Sequence, residues 1–140
     1  METLLGFDFG PRKIGVAVGQ TVTGSASPLT TIRSRGGKPD WNRIEQLVQA
    51  WQPQAAVVGL PFNMDDTETA LAPRVRRFSR QLRGRFGLDT HLVDERLTSL
   101  EARRRLGPGP VSLEAVDAMA AKLILETWLA DLTTRSAVDK

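Results

Sequence analysis

"LLGFDFGPRKIGVAVG", Leu4–Gly19, decides how the rest of the chain is read. Leu4–Phe9 and Ile14–Val18 are rich in β-formers, and the GPRK between them carries turn residues, so the stretch reads as a β-hairpin. Gly6, Gly10, Gly15 and Gly19 punctuate the pair and permit close approach of another backbone. Asp8 breaks the pattern, because it lies inside an apolar run. Burying a carboxylate without partners costs on the order of several kcal/mol. A cation, a metal or a hydrogen-bonded turn must offset that cost.

Outward from the hairpin, Ser27–Arg33 reads as a third strand completing a meander, and SRGGKPD as a loop. Asp40 has the position of an N-cap, and Trp41, Ile44, Leu47, Val48 and Trp51 recur at helical spacing. Both tryptophans are expected in the core. Pro53 closes this helix, and Ala55–Leu60 is a short apolar strand stopped by Pro61. A second helix carries Leu71, Val75, Phe78, Leu82 and Phe86 on one stripe, with Pro73 near its start. Arg76, Arg80 and Arg83 lie off that stripe and are expected to face solvent or a ligand. Asp89–Glu95 reads as a fifth strand, Ser99–Leu106 as a short helix before GPGP, and Leu113–Leu132 as the last helix. The order predicts one α/β domain over residues 1–140. Its mixed sheet would join an antiparallel three-stranded meander to two parallel strands, with helices on both faces.

Composition narrows the chemistry. The 140 residues include no cysteine, which excludes disulfides and thiolate metal sites. The single histidine, His91, speaks against a histidine-rich zinc centre. No apolar run approaches the roughly 18–20 residues that span a bilayer, and no signal peptide is visible. A soluble cytoplasmic protein is expected. The net charge is only +3, yet six arginines fall within RVRRFSRQLRGR, Arg74–Arg85, and Arg103–Arg105 are consecutive. Such clustering fits a nucleic-acid partner or a solvated helix face.

Two further carboxylates stand out. Leu113, Asp117, Ala120, Ala121, Ile124 and Trp128 share a helix face, on which Asp117 is the one charge. Asp94 and Glu95 end the fifth strand, where successive side chains point to opposite faces. The pattern alone leaves open which of the two joins Asp8. Acidic residues meeting at a sheet edge suit Mg²⁺ or Mn²⁺, which prefer oxygen ligands. Two such ions can activate water at a phosphodiester. Each residue also has a structural alternative: an Asx-type turn for Asp8, a favourable helix-dipole position for Asp117, and a surface ion pair for Glu95.

Four stretches, GFDFGPRKIGVAVG, VVGLPFNMDDTET, VDERLTS and VDAMAAKLILETWL, resemble the motifs of the YqgF/RuvX family and keep their order. That family is described both as pre-16S rRNA nucleases and as Holliday junction resolvases. The resemblance implies a ribonuclease H-like fold and Mg²⁺- or Mn²⁺-dependent cleavage of nucleic acid, with pre-rRNA favoured and branched DNA the alternative. It implies that Asp8, Glu95 and Asp117 are the catalytic, metal-holding carboxylates, and it alone selects Glu95 over Asp94. Arg12 and Lys13 match a basic pair that could hold a phosphate. Asn63 and Thr98 match polar motif positions, for which a loop hydrogen bond and an N-cap are the structural alternatives. Arg96, Arg76 and Arg80 complete the expected substrate contacts. Pro11, the Arg-Lys order and the second aspartate of MDD depart from the family pattern without removing a ligand. A nucleic-acid-binding module without catalysis remains the competing reading, and monomer and homodimer both stay open.

Overall fold

Strand alternation in the hairpin sends Leu5, Phe7 and Phe9 to one side and Leu4, Gly6 and Asp8 to the other, and the whole architecture follows from that division. The computed structural model describes residues 2–63, 65, 67–94 and 113–138, with the side chains of the last stretch described from 117 to 130. Strands β1 (Thr3–Phe9), β2 (Lys13–Gln20) and β3 (Ser25–Arg33) form the expected antiparallel meander. Helix α1 (Trp41–Trp51), β4 (Ala55–Leu60), α2 (Ala72–Phe86), β5 (Asp89–Asp94) and α3 (Leu113–Val138) follow. The five strands lie in the order β3-β2-β1-β4-β5, with β4 parallel to β1 and β5 parallel to β4. The expected mixed sheet is therefore present. Glu95, the expected short helix and GPGP lie outside the described residues.

Helices α1 and α2 cover one face of the sheet. Their Ile44, Leu47, Val75, Phe78 and Leu82 pack with Leu5, Phe7, Phe9, Ile14, Val16, Ala56 and Val58 in a bulky core. Phe78 is its hub, with ring centroids 5.5 Å from Phe7, 5.1 Å from Phe9 and 5.5 Å from Trp41. Helix α3 covers the other face, where Leu4, Ala17, Ala26, Ala55 and Val57 meet Ala121, Ile124, Leu125 and Leu129.

Local signals set the helix ends. The Asp40 side chain accepts from the Arg43 N–H at 3.2 Å and caps α1, as its position foretells. Gln52 turns left-handed to close α1, and Gly87 does the same for α2 with φ 66°. Pro73 stands in the first turn of α2, where its missing N–H has no partner to lose. Trp51 corrects the expectation that both tryptophans are core. It is 39 % exposed, because it ends α1 one turn beyond Leu47 and overhangs the packed face. Trp41 is half-buried against Phe78. Helix α3 continues to Val138, past the expected end at Leu132.

Candidate active site

Asp8 is half-buried near the end of β1, and its register partner across the hairpin is Gly15 of β2. Residues directly opposite each other in an antiparallel pair share a face. Gly15 has no side chain to offer there, and α3 uses the space. A Cβ at Gly15 would overlap the Asp117 carbonyl, so the helix backbone is seated directly on this glycine. A Cβ at Gly6, two residues before Asp8, would lie 2.9 Å from the Ala121 carbonyl. The helix therefore crosses from β2 at Asp117 to β1 at Ala121 and Leu125, and its turn at Asp117 lies over the Asp8–Gly15 pair. The two carboxylates that broke their local patterns stand on the same face of one sheet.

Asp117 is half-buried, and its Oδ2 is shielded from water while accepting no hydrogen bond. Lys13 Nζ lies 3.3 Å from that oxygen. The contact is an ion pair without hydrogen-bond geometry, and the oxygen retains unused acceptor capacity. Lys13 reaches it because its position on β2 is two residues before Gly15 and on the same face. Arg33 is the register partner of Lys13 on β3, so a further cation shares this end of the sheet. Sequence reading assigned Lys13 a phosphate and did not foresee its pairing with Asp117. Charge complementarity across two elements distant in sequence leaves no local signal.

The pleat also separates Asp94 from the pair. Register joins Leu60 to Asp94 and Gly59 to Val93. Leu60 belongs to the core under α1 and α2, so Asp94 lies on that side, while Val93 packs on the α3 side. Asp94 is thus on the face away from Asp8 and Asp117. Glu95, Arg96 and Thr98 lie outside the described residues. Among the described residues, no three His, Asp or Glu side chains form a metal-sized group.

The remaining expected contacts divide. Arg12 is exposed at the hairpin turn, next to Lys13, and its carbonyl accepts from the Ser34 N–H at 2.8 Å. Asn63 is occupied within its own loop: its Nδ2 donates to Thr67 Oγ1 at 3.0 Å, and its N–H donates to the Thr67 carbonyl at 2.7 Å. In the same loop the Thr67 hydroxyl and N–H donate to Asp65 and hold its carboxyl below the ordinary value. Arg76 and Arg80 are exposed, as expected, but α2 carries them on the opposite layer from Asp8. There they border a groove against β5 with Ser79, Arg83, Thr90 and Leu92. Arg76 is paired with Glu68, which raises its pKa further.

No described helix is long and apolar enough to cross a membrane. The family model described as "RuvX: Holliday junction resolvase" matches residues 2–131. A protein of Azotobacter vinelandii named "Putative pre-16S rRNA nuclease" is 54% identical, over 91% of this chain and 93% of its own length. One of the same name from Nitrosococcus oceani is 52% identical, over 94% of this chain and 88% of its own length. Among solved structures, Thermus thermophilus RuvC bound to a Holliday junction superposes with a TM-score of 0.58 at 17% identity, covering 96% of this chain and 97% of that one. Fowlpox virus resolvase gives 0.54 at 9% identity, covering 93% and 98%. These two likenesses establish the ribonuclease H-like fold. With the family model matched over nearly the whole sequence and relatives identical at half of their positions, the chain belongs to the RuvX family.

Proposed function

We propose that the chain is a cytoplasmic, divalent-metal-dependent nuclease that hydrolyses phosphodiester bonds in the 5′-end maturation of pre-16S rRNA. The observation that carries this reading is the Asp8–Asp117 pair on one sheet face, with a buried Asp117 oxygen that accepts no hydrogen bond. A shielded carboxylate oxygen with spare acceptor capacity is a fitting donor for Mg²⁺ or Mn²⁺. Glu95 is the third ligand in this reading, as the family resemblance implies, while Asp94 lies on the other face. When bound, the metal would activate water and stabilise charge on the phosphate and leaving oxygens.

The chain's own residues do the rest. Gly15 lets α3 set Asp117 down beside Asp8, so both carboxylates are positioned by regular elements and not by a loop. Lys13 pairs with Asp117, and in this reading it also meets a non-bridging phosphate oxygen. Arg12, exposed on the adjoining turn, can hold the neighbouring phosphate. The names carried by the relatives support pre-16S rRNA as the substrate.

The test is cleavage by the purified protein with Mn²⁺ or Mg²⁺. The panel holds single-stranded RNA, the pre-16S 5′ leader, duplex DNA and a four-way junction, with Asp8→Asn as control. Metal-dependent cutting of the leader, lost in a folded Asp8→Asn variant, is expected. Cutting by that variant at the wild-type rate would remove Asp8 from the site. Binding without any cutting would instead favour a non-catalytic nucleic-acid-binding module. The family description supports one second reading, a junction resolvase. Symmetric cutting of the junction alone would establish it and would require two copies of the chain.

A further inference from the structure

The α1/α2 layer carries a second concave surface that the carboxylate pair does not use. It is a groove of about 670 Å³ between the loop before α1 and the flank of α2. Its described lining includes Lys38, Arg74, Arg77 and Arg85, and no acidic residue. The groove follows from two local features. Gly36 and Gly37 have φ of 58° and 75°, while Arg35 and Lys38 exchange backbone hydrogen bonds of 2.9 and 3.0 Å around them. Positive φ at both central residues is what a tight two-residue hairpin needs, and glycine supplies it without strain. That turn presents Lys38 to the groove. On α2, Arg74, Arg77 and Arg85 fall on one flank at 100° per residue, whereas Arg76, Arg80 and Arg83 fall on the other.

The four cations do different things. Arg74 donates to the Gly37 carbonyl at 3.1 Å and ties the loop to the helix. The Arg85 guanidinium lies 4.4 Å from the centroid of the Trp41 ring and closes the far wall. The side-chain nitrogens of Lys38 and Arg77 have no partner among the described residues. Like charges gathered in one groove repel, and a polyanion removes that penalty while releasing its own counterions. Phe9 lines the groove, and Asp8 precedes it on the other face of β1. Groove and carboxylates therefore flank the same end of β1, the end at which Arg12 and Lys13 stand.

We infer that this groove binds the sugar–phosphate backbone of the RNA strand that flanks the cleaved bond. The identity of the polyanion rests on the nuclease reading, whereas the binding surface does not depend on catalysis. The test is fluorescence anisotropy of labelled single-stranded pre-16S leader RNA in EDTA, over a series of salt concentrations. It compares the wild type with Lys38→Gln/Arg77→Gln and with Arg83→Gln, which alters the opposite flank of α2. Thermal melts check that all three are folded. The double variant is expected to bind at least about tenfold more weakly at low salt, with a log–log salt slope shallower by about 1.4. Arg83→Gln is expected to bind as the wild type does. Unchanged affinity and slope in the double variant would overturn the inference, as would an equal loss in Arg83→Gln. If the wild type cuts RNA but binding ignores the groove, only the groove assignment falls. If binding needs the groove but nothing is cut, only the nuclease reading falls.

Discussion

The two faces of the sheet use residues of opposite size. Under α1 and α2 the strands present Leu5, Phe7, Phe9, Ile14 and Val16 to Phe78 and Leu82. Under α3 they present Gly6, Gly15, Ala17 and Gly19, and the helix backbone comes down onto Gly6 and Gly15. Bulk on the first face supplies buried apolar area, which makes it the main source of stability. Smallness on the second face supplies proximity. A helix held off by side chains at Gly6 and Gly15 could not place Asp117 beside Asp8. One sheet thus separates the work of holding the fold together from the work of positioning charge.

Substitutions on the two faces should diverge accordingly. The largest stability loss is expected for Phe7→Ala, which empties a fully buried site at the edge of Phe78. It should cost about 3–5 kcal/mol in urea unfolding. Cleavage per folded molecule should stay near wild type at a temperature where the variant is folded. Gly15→Ala is the converse. The added methyl meets helix backbone, which cannot swing aside as a flexible side chain can. A stability cost of about 1–3 kcal/mol is expected, together with a cleavage loss of about a hundredfold from displacement of Asp117. Equal losses of cleavage in the two variants would erase the distinction between the faces. The smallest stability change belongs to Lys13→Gln, whose ion pair is roughly a quarter exposed on both sides. Unfolding should shift by less than about 1 kcal/mol. Titration calorimetry should show tighter Mn²⁺ binding, because a competing cation has left Asp117. Weaker Mn²⁺ binding would mean that Lys13 orders the carboxylates instead of competing at them.

Much of this design is written in local pattern. The period-two and period-3.6 repeats mark the same strands and helices that the structure contains, and Asp40 and Pro73 lie at the helix ends they signal. Asp8 and Asp117 were detectable because each is a charge on an otherwise apolar face. The arginines of α2 were visible as a cluster, but not their division between two flanks that border different grooves. Asn63 carried a motif position, yet its amide is committed to Thr67. Trp51 fitted the apolar stripe and still overhangs it, since a stripe does not say where the neighbouring sheet ends.

By itself the sequence determined the elements, the face that each residue takes within its own element, and two charges in search of a partner. Those properties depend on neighbours a few positions away, and steric alternation and helical spacing transmit them directly. Only the tertiary structure decided which faces meet. Strand register placed Asp94 away from Asp8, the gap at Gly15 received the backbone of a helix a hundred residues later in the chain, and Lys13 found Asp117. The loop at Gly36–Gly37 met α2 to make a basic groove. These are relations between distant segments, fixed by pleat parity and by how closely two backbones can approach, and no local period encodes them.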